Sequence, residues 1–270
     1  MEKTQEQQQP TPSPSSYFLM KSSASEEWKT IVSTLQNLTE EAAFDIDPSG
    51  VRFRAMDPSH VVLIDLLWEA AAFEKFECQG KDRFVVRVED FAKIIKRADK
   101  NDSVSVSRAG SDALLIRMGT NREFEFHLLD SAVSGVPLPK LNLVSKFTIS
   151  RAVFESVLED VSALSNQVRI KAEPAGGGGT LIISCRGDAG NAKIVFAASE
   201  LAGFESPEVS EAVYSLEYIQ KVLKPASASS EFVEFHFASK MPLAASLSVG
   251  DASRSGRLKL AFFLAPRTSD

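Results

Sequence analysis

A chain of 270 residues with 44% hydrophobic and 24% charged side chains is long enough for two ordinary domains or one large one, with the composition of a globular protein. Its net charge of −6 excludes a uniformly basic nucleic-acid binder, so any phosphate contact has to come from segregated positive charge. Cys78 and Cys185 form no C-x-x-C pair, which fits a reducing compartment without a disulfide framework or zinc site; no run approaches the roughly 18 apolar residues of a membrane span.

Residues 1–16, MEKTQEQQQPTPSPSS, lack an apolar h-region and read as a disordered polar tail rather than a signal peptide. WKTIVSTLQNL (28–38) then sets Trp28, Ile31, Val32, Leu35 and Leu38 on one helical face. VRFRAM (51–56) is β-rich and follows the turn signal DPSG. VEDFAKIIK (88–96) is a second helix, and SVSVS (103–107) and EFEFHLL (123–129) are further strands. DSAVSGVPLPKLN (130–142), with two prolines, a glycine and no period, reads as an extended connector lying against the surface. Beyond it the pattern returns. FESVLEDVSAL (154–164) repeats the first helix 126 positions on, and LEYIQKVLK (216–224) repeats the second 128 positions on, matching Glu89 with Glu217, Lys93 with Lys221 and Lys96 with Lys224. Two pairs at nearly one offset make a duplicated domain the better reading. The strands AKIVFAA, EFVEFHFA and RLKLAFFLA complete the second copy. The expected fold is α+β, two similar domains with helices packed on mostly antiparallel sheet: tail 1–16, domain 17–129, connector 130–144, domain 145–267, tail 268–270.

The polar residues of AMDPSHVVLID (55–65), namely Asp57, His60 and Asp65, invite an active-site reading. No Ser or Cys nucleophile elbow and no His-Glu-x-x-His ligand set accompanies them, so neither catalysis nor a metal is expected. The run Gly176–Gly179 precedes the strand TLIISCRG, which suits a hairpin loop rather than a phosphate loop. His127 and His236 lie in alternating strands and read as structural. The lysines are more telling: Lys93, Lys96 and Arg97 share a face opposite Phe91, Ile94 and Ile95, and Lys221 and Lys224 repeat the arrangement. A duplicated basic face in an acidic protein suggests tracking of a phosphate backbone, with no aromatic interleaving or recognition helix to read sequence.

GVRFRAMDPSHVVLIDL (50–66), SGVP (134–137) and LKLAFFLAPR (258–267) together resemble the sliding clamp family of proliferating cell nuclear antigen, above all its archaeal members, from about Tyr17 to Arg267. The resemblance implies a non-enzymatic, cofactor-free ring of three subunits, alike or different, around double-stranded DNA, served by a clamp loader. It implies that Lys29, Lys93, Lys96, Arg97, Lys221 and Lys224 face the phosphates. It implies a pocket of Met56, His60, Val61, Leu63, Val133, Val136, Pro137, Pro242, Phe263, Ala265 and Pro266 for PIP-type peptides of DNA polymerase, flap endonuclease and DNA ligase. Subunit contacts would fall on Phe124, Phe126, Leu128, Ile194 and Phe196, and the protein would be intracellular and DNA-associated, in cytoplasm or nucleoid if archaeal and nucleus if eukaryotic. The chain departs from the family at Glu155 and Glu159, where basic residues are common and only Arg151 helps, and at Ser134, where a larger apolar residue is common. A checkpoint-type clamp, and a peptide-binding module that never surrounds DNA, are the alternatives.

Overall fold

The computed structural model describes residues 17–131, 135–174, 178–226, 230–249 and 257–268. The polar tail, Val133, Ser134, the first two residues of the glycine run and the turn signal before Arg257 lie outside the described residues. The first half runs β1 (Tyr17–Ser22), α1 (Glu26–Gln36), β2 (Glu41–Asp47), β3 (Gly50–Met56), β4 (Val62–Glu69), β5 (Lys75–Gln79), β6 (Asp82–Arg87), α2 (Val88–Ile95), β7 (Val104–Arg108), β8 (Ala113–Met118) and β9 (Arg122–His127). The second runs β10 (Ser145–Ser150), α3 (Arg151–Ser162), β11 (Gln167–Glu173), β12 (Thr180–Gly187), β13 (Gly190–Ala197), β14 (Gly203–Glu205), β15 (Ser210–Ser215), α4 (Leu216–Leu223), β16 (Phe232–Phe237), β17 (Leu243–Val249) and β18 (Leu258–Leu264). Element for element, the order is the same.

The sheets repeat it as well. In the first half β5-β1-β7-β8-β9 form one sheet, and their counterparts β14-β10-β16-β17-β18 line up in the same order in the second. The four strands β4-β3-β2-β6 likewise match β13-β12-β11-β15. One difference breaks the symmetry: β18 pairs with β4, Leu258 opposite Trp68 through Leu264 opposite Val62, fusing two of these units into a nine-stranded sheet. All pairings are antiparallel.

Each helix forms where period and end charges agree. Glu89 and Asp90 in the first turn of α2 and Lys93 in the last oppose the helix dipole, and Glu217 and Lys221 do the same in α4. Apolar faces turn inward, with Trp28, Ile31, Val32 and Leu35 of α1 and Phe154, Leu158 and Val161 of α3 buried over the sheets. Several elements end earlier than the period suggests. α2 stops at Ile95, with the Arg97 amide bonding back to the Ile94 carbonyl at 2.9 Å, so Lys96 and Arg97 sit in a tightened terminal turn rather than in the helix. Lys224 similarly falls in a short 3₁₀ turn after α4, and β9 ends at His127, leaving Leu128 beyond the strand.

Aromatic rings knit the second core: Phe235 lies 4.8 Å from Phe147 and 4.7 Å from Phe154, centroid to centroid. Phe235→Ala should therefore cost about 3–5 kcal/mol, read as a lowered denaturant midpoint with an unchanged m-value.

Candidate functional site

The turn between β3 and β4 is organised by one carboxylate. Asp57 is buried, and its Oδ1 accepts the backbone N–H groups of Val61 and Val62 at 2.7 and 2.6 Å while Oδ2 accepts that of Ser59 at 3.0 Å. A fourth donor comes from the second half, the Tyr218 hydroxyl on α4 at 3.3 Å from Oδ2. This clamp holds His60 in a left-handed conformation, φ 58°, with its side chain exposed. An acid so engaged by four donors shapes backbone.

Antiparallel register then assembles an apolar row on the face of the sheet away from the main core. Met56 lies opposite Leu63, Leu63 opposite Phe263, and Phe263 opposite Ala244. Met56 and Phe263 are half-buried, whereas Leu63 is only 4% exposed, so Leu63 is the floor of the row and not an open wall. Val61 joins it through its carbonyl, which accepts the Ala265 N–H at 2.9 Å and brings Pro266 and the chain end alongside. Pro242, half-buried, opens β17 at the same end. The next row is polar: Arg54 faces Asp65 and bonds it at 2.7 Å from Nε, and its Nη1 donates to the Val136 carbonyl at 3.3 Å. Arg54 thus ties the connector beside the apolar row, with Val136 half-buried and Pro137 exposed. Sequence reading missed Arg54 and Tyr218. Each acts across a long sequence separation, and locally Arg54 was only one of two arginines in β3.

The basic side chains lie elsewhere, on the helices and their ends. Lys93, Lys96, Arg97 and Lys224 are exposed, and Lys29 and Lys221 half-exposed. They are not equivalent. Lys93 pairs with Glu89 at 2.8 Å and Asp90 at 3.1 Å, and these carboxylates, Glu89 first, hold its ammonium above the usual lysine range. Lys221 pairs with Glu217 at 2.6 Å and sits 5.4 Å from the Tyr218 ring centre. Lys96 bonds the Gln36 amide oxygen, while Lys29, Arg97 and Lys224 have no ion pair among the described residues.

The remaining predicted residues occupy two free sheet edges. Phe124 and Phe126 lie on β9, outermost in its sheet, and Ile194 and Phe196 on β13, outermost in another. Among the described residues no group of three or more His, Cys, Asp or Glu is placed to hold a metal ion, and no helix is long and apolar enough to cross a membrane.

Solved structures share this architecture. An A. fulgidus PCNA with the C-terminal region of FEN-1 bound superposes with a TM-score of 0.84 at 22% identity, covering 94% of this chain and 99% of that one. A proliferating cellular nuclear antigen from Entamoeba histolytica gives 0.81 at 24% identity over 93% and 99%. The fold is therefore the two-domain clamp fold. Residues 20–130 match the family model for the proliferating cell nuclear antigen N-terminal domain. The DNA polymerase sliding clamp of Cenarchaeum symbiosum is 36% identical over 254 residues, 93% of this chain and 99% of the relative, and that of Nitrosopumilus maritimus is 36% identical over 252. The chain belongs to the DNA polymerase sliding clamp family.

If Arg54 holds the connector, Arg54→Ala should speed protease cleavage within residues 135–144 several-fold while leaving the melting temperature within a few degrees, measured by limited proteolysis beside calorimetry.

Proposed function

We propose that the chain is one subunit of a non-enzymatic sliding clamp, a ring that encircles duplex DNA without reading its sequence and tethers replication and repair proteins to it. The observation that carries this reading is the broken symmetry of the sheets. Within the chain β18 closes on β4, while their counterparts β9 and β13 are both open edges. The same junction is available only between chains. A head-to-tail contact of that kind forms a closed ring when its rotation closes, and the family resemblance implies three subunits. Exposed strand edges left unpaired are aggregation sites, which also favours assembly.

The internal junction supplies a register for the external one. Matching Trp68 with Phe196 and Met118 with Val249, the core-facing ends of corresponding strands, sets Phe124 against Ile194, Phe126 against Ala192 and Glu125 against Lys193 of the next copy. Glu125 and Lys193 are both exposed in the single chain. A cross-strand pair of opposite charge contributes roughly 0.2–1 kcal/mol.

In such a ring Lys29, Lys93, Lys96, Arg97, Lys221 and Lys224 line the bore and meet phosphates. The row of Met56, Leu63 and Phe263, rimmed by His60, Val61, Val136, Pro137, Pro242, Ala265 and Pro266, takes short apolar peptides of DNA polymerase, flap endonuclease and DNA ligase; Val133 lies outside the described residues. The FEN-1 region bound to the A. fulgidus relative supports this use of the outer face. A clamp loader opens the ring, and the protein works inside the cell on DNA. The engagement of Asp57 by backbone donors supports a scaffold role over catalysis.

Loading onto nicked circular duplex tests the topology. The clamp should stay on the circle through a high-salt wash and leave once the circle is linearised; equal retention on both forms would sink the ring. Lys193→Glu should lower the assembled mass toward the single chain, and adding Glu125→Lys should restore it. Phe263→Ala, losing a side chain worth about 1.5–3 kcal/mol on burial, should weaken a PIP-type peptide by about tenfold or more in calorimetric titration.

A further inference from the structure

The four helices that the proposed ring turns toward DNA do not carry equal charge, and α3 is the exception. Its outward positions are Ala152, Val153, Ser156, Glu159, Asp160, Ser162 and Ala163, none of them basic. Val153 is 44% exposed, an apolar side chain where a phosphate contact would want a donor. The one cation, Arg151, is spent internally: its Nη1 bonds the Glu155 carboxylate one turn on, and its Nε donates to the Ser230 carbonyl at 2.8 Å. The side chain is 16% exposed, so little of its charge reaches solvent. Glu159 and Asp160 are exposed and have no ion pair among the described residues. The opposite holds on the other helices. There the unpaired charges are Lys29, Arg97 and Lys224, and the acids Glu89, Asp90 and Glu217 are answered by Lys93 and Lys221.

We propose that α3 is a stand-off element, a helix whose exposed Glu159 and Asp160 repel the duplex so that it is held from the other helices and their ends, with the unpaired Lys29, Lys96, Arg97 and Lys224 foremost. This rests on the proposed ring with its helices toward DNA. The range of the effect is adequate, because unscreened surface charges act over a Debye length of about 8 Å at physiological salt. Within that distance of α3 a phosphate meets two unpaired carboxylates, and Lys224, which shares a cleft with Glu155 and Glu159 from the turn after α4, answers them only in part. The consequence concerns sliding. A bore that attracts phosphates all round would hold the duplex in many simultaneous contacts, each of which must break for the ring to advance, whereas alternating attraction and repulsion lowers that number.

The test uses the full-length clamp loaded on nicked circular duplex, with the rate of loss after linearisation followed as a function of salt. Glu159→Lys with Asp160→Lys preserves helix propensity and places positive charge toward the C-terminal end of α3, where the dipole favours it. Gaining two phosphate contacts should lengthen residence at 50 mM salt and add about a tenfold further loss between 50 and 200 mM. Lys96→Ala with Arg97→Ala is the companion variant and should shorten residence. If the lysine reversal leaves residence and salt slope unchanged while the companion shortens it, the stand-off role is wrong and the ring reading stands. If neither variant shifts residence, the helices do not face DNA and both ideas fall. Assembled mass and melting temperature, unchanged in both variants, separate these outcomes from misfolding.

Discussion

The pairing of β18 with β4 is the constraint from which the rest of the molecule follows. Seven consecutive residue pairs, Leu258 with Trp68 through Leu264 with Val62, join the last strand of the chain to the first half. Without it the two halves would each carry four open edges. With it, one pair of edges is consumed and the homologous pair, β9 and β13, is left open, each outermost in its own sheet. The same pairing sets Phe263 beside Leu63 and so builds the apolar row. It also carries Ala265 to Val61, so the apolar row and the fold are products of one ladder of hydrogen bonds.

The apolar row and α4 are linked through the turn at Asp57. That carboxylate orders the backbone that presents His60 and Val61 on one side, and it receives the Tyr218 hydroxyl from α4 on the other. Lys221 stands over the same tyrosine ring. Three features therefore share one corner: turn geometry, the packing of the second half on the first, and the position of Lys221. An Asp at this point does more than an apolar residue could, since its two oxygens accept four separate donors.

Much of this was legible in the sequence, and the limits are physical. Helical period located α1 through α4 because burial of one face every 3.6 residues leaves a mark in composition. The repeat was visible in Glu89, Lys93 and Lys96 against Glu217, Lys221 and Lys224. What the sequence could not give was whatever depends on pairing between distant strands. The burial of Leu63 under its neighbours, the hold of Arg54 on the Val136 carbonyl and the Tyr218 bond to Asp57 span 82 or more residues or follow from register alone. A local signal was overlooked as well. The i, i+4 spacings of Glu89 with Lys93, Glu217 with Lys221 and Arg151 with Glu155 already foretold that Lys93, Lys221 and Arg151 would each be paired on their own helix.

The duplication also bears on how many of the proposed docking grooves the proposed ring carries. The positions that correspond to Met56 and Leu63 in the second half are Arg186 and Asn191, which face each other across β12 and β13. Carried across the proposed junction, the counterpart of Phe263 is His127 of the neighbouring copy. The row is thus apolar within each chain and polar at the corresponding positions of the proposed boundary between chains. Stoichiometry is written into that divergence: one hydrophobic berth per subunit, so that a ring of three would offer three equivalent moorings and never six.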